Sequence, residues 1–463
     1  MKIYSVAVIV ILLIGLSLFY VLNRNGHDRI NDSEKPTFKE FMGVNVHNVE
    51  VNMNLLTPVF KLVRDYHTIV WILPEKETRR SNYPYSSMDI SWHDRSGKVG
   101  DFEGVVNFDE IYRGWQDIGF ETNVSLMLVQ KMSDKWENMD EDSYELGKDF
   151  ARYFGPSGEG LVTSVEVGNE PVPYWKLTDY ERIFQQMAKG IRAGDADLKI
   201  LTAATQAGKT DEFSVPIDIY KNHSELYDVI KIHSYAFKEM WPTFERSYPE
   251  DPSIQSIKTI ESTIQWRNRH APDKEIWITE FGYDSSNKPA DPNSEWAQFK
   301  VVNDEVQAQW LLRSFLEFSR LDVERAYVYW FNDHDERTFH ASSGIMRLNR
   351  PKKSFWALKQ LQDTLGDFRF NREVVRQLGK KHVYEYVHEN DKDRIIWVAW
   401  SPTGQLNEMG RGREERITIK APHKPSEILS MAKEESEPLD APFSYSNGEL
   451  TMTISESPVY IIF

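Results

Sequence analysis

The strongest constraint in this sequence is a repeated order of short apolar strand, polar loop and helical segment, starting at Phe38. Near-continuous apolar strands that alternate with helices predict a parallel sheet covered on both faces. Eight such units in about 325 residues favour a closed (β/α)8 barrel, an α/β fold, over an open doubly wound sheet. The predicted strands are residues 41–46, 68–73, 123–129, 161–167, 199–204, 229–233, 275–279 and 326–330.

Helical segments are predicted between these strands. Residues 307–320 give a clear pattern, because Trp310, Leu311, Phe315 and Phe318 recur at helical spacing. The other predicted helices are residues 53–65, 108–118, 142–154, 179–193, 256–269 and, as the last helix of the barrel, 354–365.

The pattern changes to a period of two after the barrel, which we place at residues 38–366. Short alternating runs with hairpin signals predict a small antiparallel β-sandwich over residues 367–463. Its predicted strands include residues 383–387, 394–400, 416–420, 450–454 and 459–463.

Charge and cysteine content exclude several classes of function. The formal net charge of -16 argues against nucleic acid and anionic membrane surfaces as partners. The absence of cysteine excludes disulfides, Cys-ligated zinc, iron–sulfur clusters and thiol nucleophiles.

The N-terminal residues 1–22 predict export. Residues 4–22 carry no charge, and at about 1.5 Å per residue they nearly cross a hydrocarbon core of about 30 Å. The bulky residues 19–22 lack a small-x-small cleavage pattern, which favours an uncleaved anchor over a cleaved signal peptide. Polar residues 23–37 are predicted to be a linker. We therefore expect an exported, membrane-anchored protein, periplasmic or extracellular.

Two glutamates follow apolar runs that are predicted as strands four and seven. Glu170 lies in Asn169-Glu170-Pro171, and Glu280 lies 110 residues further on. Active sites of such barrels form at the C-terminal ends of the strands. Strands four and seven lie across the barrel mouth from each other, so the two carboxyl groups can face each other across a sugar. Glycoside hydrolysis needs one protonated and one ionised carboxyl group at the same pH.

The motif around Glu170 and the segment Thr279-Glu280-Phe281-Gly282 resemble clan A of the glycoside hydrolases. His233-Ser234-Tyr235 on strand six and Trp330 on strand eight extend the resemblance, which covers about residues 38–365. Family 5 is the most similar in its motifs, with families 30 and 39 and the agarase-like families nearby. The resemblance implies a retaining enzyme without a metal or cofactor, with Glu170 as acid/base and Glu280 as nucleophile.

Further site residues follow from the same resemblance. It implies that Asn169 bonds the sugar 2-hydroxyl, Tyr235 bonds the nucleophile and Trp330 forms the floor of the sugar site. His233 and His47 end strands and are further candidates for substrate binding. Each has a structural alternative: an ion pair for the glutamates, a satisfied buried ring for the histidines, and packing for Tyr235 and Trp330.

One departure leaves the family open. Many family 5 members carry an Arg at the end of strand two, whereas Arg64 precedes the predicted strand two here. The C-terminal sandwich is also more typical of families 30 and 39.

The sequence therefore predicts a retaining hydrolase of β-glycosidic bonds in an extracytoplasmic poly- or oligosaccharide, acting by double displacement. One alternative is a transglycosylase with the same site. Another is a non-catalytic carbohydrate-binding protein, against which the presence of both carboxyl groups and Asn169 argues. The sugar and the oligomeric state stay open.

Overall fold

The computed structural model describes residues 35–47, 52–68, 85–87, 105–128, 136, 138–172, 174–208, 210–402, 412, 414–436 and 438–463. Residues Pro36–Phe463 form one compact unit. The predicted anchor at residues 4–22 and most of the predicted linker lie outside the described residues. Within the described ranges, the structure has no helix that is both long and apolar enough to cross a membrane.

In the described part of the chain, eight parallel strands close into a barrel, in the order in which they occur in the sequence. The barrel closes where Met42 pairs with Ala326. This confirms the predicted fold class. The barrel strands are β1 Met42–Asn45, β2 Leu62–Thr68, β3 Glu121–Met127, β4 Ser164–Val167, β5 Lys199–Leu201, β6 Val229–His233, β7 Glu275–Phe281 and β8 Arg325–Val328.

Seven helices lie within the described ranges, and most of them cover the barrel. They are α1 Phe38–Phe41, α2 Phe108–Asp117, α3 Met139–Phe154, α4 Leu177–Gly194, α5 Ser256–His270, α6 Asp304–Arg320 and α7 Lys353–Leu365. The connection between β5 and β6 carries the 3-10 turns Ile217–Tyr220 and Ser224–Leu226.

The predicted position of strand two, and the helix predicted before it, were wrong. Residues 53–65 form a 3-10 turn at Met53–Leu55 and then the first half of β2, instead of a helix. Strand two therefore begins six residues earlier than predicted, and residues 69–73 lie outside the described part of the chain. The physical reason is that Arg64 and Tyr66 face the barrel interior, so this strand lacks the apolar run of its neighbours.

The barrel interior has an apolar floor and a polar layer above it. Leu62, Leu201, Val229, Trp277 and Tyr327 form a separate buried cluster near the start of the strands. Arg64 is fully buried and lies two residues after Leu62 on β2, so both side chains are on the same face of the strand. The polar layer lies between this floor and the C-terminal ends of the strands.

A β-bulge in β7 directs Glu280 inward. The register on β8 advances by two residues, from Ala326 to Val328, while β7 advances by three, from Ile278 to Phe281. A bulge changes the alternation of side chains along a strand. Glu280, three residues after the inward-facing Trp277, therefore also faces the interior, where Arg64 contacts it.

The C-terminal residues fold into two antiparallel sheets, as predicted. The described strands are β9 Phe368–Gln377, β10 Lys381–His388, β11 Asp391–Trp400, β12 Glu415–Lys420, β13 Glu427–Ser430, β14 Phe443–Ser446, β15 Glu449–Ile454 and β16 Val459–Ile462. One sheet has the order β9-β10-β11-β16-β13 and the other β12-β15-β14. Val383, Trp397, Ile417, Leu450 and Ile461 belong to the buried cluster between the sheets.

Helix α6 is buried along its length. All of residues 305–319 are buried, including the charged Arg313 and Glu317. Phe315 packs on Phe281 of the barrel, while Arg313 bonds Glu456 just before β16. The helix thus lies between the barrel and the sandwich, and both contribute to its surroundings.

Candidate active site

Glu170 and Glu280 meet at the C-terminal end of the barrel. Gly168 follows β4 with φ 89°, a conformation that favours glycine, and this turn places Asn169 and Glu170 over the barrel mouth. The Nδ1 atom of His233 lies 2.6 Å from Glu170 Oε1 and 3.5 Å from Glu280 Oε2. One oxygen of each carboxyl group and this nitrogen all lie within 4.8 Å of one another.

Glu280 accepts hydrogen bonds from three of the described side chains. Arg64 Nη1 and the Tyr66 hydroxyl donate to Oε1 at 2.8 and 2.7 Å, and the Tyr235 hydroxyl donates to Oε2 at 2.8 Å. Donors that converge on a carboxylate stabilise its charged form, most of all when one of them is a cation. This environment suits an ionised nucleophile.

Glu170 has a different environment. Its side chain keeps 24% of its surface exposed, and His233 contacts it as described. Burial, and then the negative charge of Glu280, raise the pKa of Glu170 well above its usual value. Glu170 therefore holds its proton to higher pH than an ordinary glutamate, as a general acid needs.

A buried ionic layer supports the two glutamates from below. Arg64 donates two hydrogen bonds of 2.7 Å to Glu166, and Lys231 Nζ lies 2.6 Å from the same carboxylate. Asn123 adds a further hydrogen bond of 2.7 Å to Glu166. Burial lowers the pKa of Lys231 to about 8, against the attraction of Glu166.

The same layer orients Asn169. Arg64 Nη2 donates to Asn169 Oδ1 at 2.7 Å, and Lys231 Nζ lies 3.4 Å from that oxygen. Because both cations bind the amide oxygen, Nδ2 is the atom that remains to donate to a ligand.

The other predicted residues lie around this centre. His47 stacks on Tyr66 with ring centroids 5.2 Å apart and meets Trp330 edge-on at 4.6 Å. Trp330 is partly buried, follows β8 and donates from Nε1 to the His340 carbonyl at 3.3 Å. His47 and Trp330 therefore form one aromatic wall with Tyr66, which the sequence did not single out.

Many solved structures, among them the three that follow, are similar to this chain in fold. A family 39 glycoside hydrolase from Bacteroides cellulosilyticus WH2 has a TM-score of 0.66 at 16% identity, over 94% of this chain and 82% of that chain. A glucosidase from Croceicoccus marinus has a TM-score of 0.61 at 11% sequence identity, over 93% of this chain and 96% of that chain. AbfB, a family 51 α-L-arabinofuranosidase from Bifidobacterium longum, has a TM-score of 0.59 at 12% sequence identity, over 94% of this chain and 98% of that chain. In sequence, no family model and no curated protein matches the chain.

The chain has the fold of the clan A glycoside hydrolases. Within this clan A fold, Arg64 lies on strand two, with its guanidinium in the centre of the barrel. The sequence analysis placed Arg64 before strand two, and this was wrong. The error arose because strand two was predicted to begin six residues too late.

Sequence reasoning missed Arg64, Tyr66, Glu166 and Lys231 as parts of this site. The available signal was the spacing of Leu62, Arg64 and Tyr66 on alternate positions, which is a strand pattern whose inward face is polar.

The donor atoms of Glu170, His233 and Glu280 are close enough to share a metal ion. Arg64 already bonds Glu280, and burial, Lys231 and Arg64 hold the pKa of His233 well below its usual value. Two fixed cations beside the carboxylates oppose a further cation, so the arrangement suits proton transfer better than metal binding. That the chain uses no metal or cofactor stays a prediction.

Proposed function

We propose that this chain is a retaining glycoside hydrolase in which Glu280 is the nucleophile and Glu170 the acid/base. The observation that carries the proposal is the pair of carboxyl groups, with oxygens within 4.8 Å of each other and opposite environments. Retaining enzymes hold their carboxyl groups about 5–5.5 Å apart, whereas inverting enzymes leave about 6.5–9.5 Å for a water molecule.

In the first step, an oxygen of Glu280 attacks C1 of the sugar while Glu170 gives its proton to the leaving oxygen. The product is a glycosyl-enzyme ester on Glu280 and a free alcohol. In the second step, ionised Glu170 takes a proton from water, which attacks C1 and releases Glu280. Asn169 Nδ2 donates to the sugar 2-hydroxyl, a contact that strengthens in the transition state.

His233 suits both protonation states of Glu170. Its depressed pKa keeps the ring neutral. Nδ1, at 2.6 Å from Glu170, accepts from the protonated acid in one tautomer and donates to the carboxylate in the other. His233 is thus a positioning residue for Glu170, and His47 and Trp330 are proposed to contact the sugar.

The proposed substrate is a β-linked poly- or oligosaccharide outside the cytoplasm. The uncharged residues 4–22 support export with retention at the membrane. Cell fractionation with N-terminal sequencing checks this: a soluble species that begins shortly after residue 22 would show cleavage instead.

The two roles are tested by the variants Glu280→Ala and Glu170→Ala, with Glu225→Ala as a control. Glu225 is exposed and lies before β6, at the other end of the barrel. With a dinitrophenyl β-glycoside, Glu280→Ala should lose activity completely. Glu170→Ala should form the glycosyl-enzyme readily, because this leaving group needs no proton, and should accumulate it. For poor leaving groups we expect a loss of about 10²–10⁴-fold.

Azide then distinguishes the roles. It should restore turnover of Glu170→Ala and give the β-glycosyl azide, and it should give the α-azide with Glu280→Ala. If Glu170→Ala gave the α-azide and Glu280→Ala the β-azide, Glu170 would be the nucleophile and Glu280 the acid/base. Near-normal activity in both variants, as in Glu225→Ala, would refute the site.

A further inference from the structure

A second cavity lies beside the catalytic centre and is built from different residues. It has a volume of about 370 Å³, is partly open to solvent and is bordered by the segments after β6 and β7 and by the start of α6. Lys238, Arg246, Asp284, Lys300 and Trp310 line it. Small-molecule sites have volumes of about 300–1,000 Å³, so this space suits a ligand the size of a monosaccharide.

Arg246 is the central feature of this cavity. The residue is only 7% exposed, and its three guanidinium nitrogens have no hydrogen-bond partner among the described residues. The ring centroids of Phe237 and Tyr235 lie 3.9 and 4.7 Å from Cζ, so they stabilise the charge without supplying an acceptor oxygen. Asp284 Oδ2 is 3.6 Å from Nη2, beyond hydrogen-bond distance. Buried donors of this kind call for an acceptor.

A second buried donor lines the same cavity. Trp310 Nε1 has no hydrogen-bond partner in the described ranges, and the residue is 6% exposed. An indole N–H can only donate, so it also requires an acceptor. Two unpaired donors on separate elements, the segment after β6 and helix α6, therefore line one space.

The charge around the cavity is positive in an acidic protein. Lys238, Arg246 and Lys300 face Glu245 and Asp284, which leaves one net positive charge, whereas the whole chain carries -16. Both lysines pair with Glu245 and keep more than half of their side-chain surface exposed, so they lie at the rim.

We propose that this cavity binds a small ligand with an oxyanion group, a carboxylated sugar or a phosphate. Arg246 and Trp310 Nε1 would bond the oxyanion, and Lys238 and Lys300 would attract it at the entrance. Arg246 also contacts Tyr235, whose hydroxyl bonds Glu280. The site is thus adjacent to the nucleophile but independent of it, and the inference does not rest on the proposed hydrolase activity.

Binding is measured by calorimetry and by the shift in Tm on the full chain, with inorganic phosphate, D-glucuronate and D-glucose as probes. Sodium chloride at equal ionic strength controls for screening. Phosphate or glucuronate should bind and raise the Tm, because a ligand that binds only the folded state stabilises it, while glucose should not. Binding of phosphate alone assigns a phosphate ligand, and binding of glucuronate alone assigns a sugar carboxylate.

Three variants locate the bound anion. Arg246→Gln should weaken binding by about tenfold or more, because it removes charge-assisted hydrogen bonds. If Arg246→Gln does not fold, the double variant Lys238→Ala/Lys300→Ala at the rim tests the proposal in its place. It should weaken binding several-fold at low salt. Lys199→Ala is the matched control, since Lys199 is similarly exposed and paired with Glu275.

Glu280→Gln separates this cavity from the catalytic cleft and should bind the probes with unchanged affinity. The proposal is overturned if no probe exceeds sodium chloride, or if the Arg246 or rim variants bind like the control. It is also overturned if Glu280→Gln abolishes binding, because the anion then occupies the cleft.

Discussion

At the residue scale, Glu170 and Glu280 are the same side chain in two environments. Arg64, Tyr66 and Tyr235 surround Glu280 with donors. Glu170 contacts His233 instead, and burial together with the negative charge of Glu280 raises its pKa well above the usual range. Environment alone can therefore give one glutamate a proton and leave the other ionised.

This difference predicts the pH dependence of activity. Glu170 must be protonated in the first step, so kcat/KM should fall as the pH rises through its raised pKa. With a glycoside whose leaving group needs a proton, the wild type should show this alkaline limb, and Glu170→Gln should lack it in its lower residual activity. The pH profiles of both forms check it, and an alkaline limb that stays unchanged in the variant would assign it to another group.

Sequence could identify the two glutamates because each follows an apolar run in a recognisable motif. It could not identify Glu166 or Lys231, although both are fully buried within the barrel. A charged residue in a strand is normally exposed, and its pairing partners lie on other strands, up to 102 residues away in the case of Arg64 and Glu166. Only the closed barrel brings them together.

At the element scale, seven of the eight barrel strands lie close to their predicted positions, and β2 does not. The segments predicted as these seven strands stay mostly apolar in sequence, although two of them carry the buried charges Glu166 and Lys231. Strand β2 carries Arg64 and Tyr66 inward, because it supports the active site. The bulge in β7 was equally invisible in the sequence, since it depends on the register with β8.

The buried ionic layer predicts a large loss of stability for Glu166→Gln. Arg64 and Lys231 lower the pKa of Glu166 to about 2, although burial alone would raise that pKa. Removing the carboxylate takes the ion-pair partner of Lys231 away and leaves Arg64 with Glu280 alone, at a cost of about 3–5 kcal/mol. Urea unfolding measures this. Wild-type stability should also decline as the pH falls from the usual glutamate pKa toward 2, and the variant should lack this contribution.

Glu121→Gln is the matched control. Glu121 pairs with Arg325 at 2.6 Å, but its side chain is 36% exposed. Solvent screens such a pair, so its removal should cost less than about 1 kcal/mol. Equal losses in both variants would mean that burial does not govern the strength of these pairs.

At the scale of the whole molecule, α6 joins the barrel to the sandwich. Arg313 donates to Glu250 at 2.8 and 2.6 Å and also bonds Glu456, while Trp400 Nε1 donates to Glu250 at 2.6 Å. The sequence predicted both the barrel and the sandwich. Their connection was not predictable, because it depends on a charged side chain in a helix with no exposed face.

Arg313→Met should destabilise barrel and sandwich together. It takes the guanidinium away from the fully buried Glu250 carboxylate, which costs about 3–5 kcal/mol. Differential scanning calorimetry should show a single transition at lower temperature, and Arg350→Met, at an exposed hairpin, should leave the Tm nearly unchanged. Separate transitions for the two parts in the wild type would contradict this coupling.

The buried helix α6 also has a consequence for the order of events during synthesis. Arg313 leaves the ribosome 143 residues before Glu456, its partner beside the final strand. Until Glu456 emerges, the sandwich that covers the outer side of the helix is incomplete, and Arg313 has Glu250 but not Glu456 as a counter-charge. The barrel therefore reaches its final packing only after Glu456 has emerged, and a nascent chain halted within the sandwich should remain a substrate for chaperones.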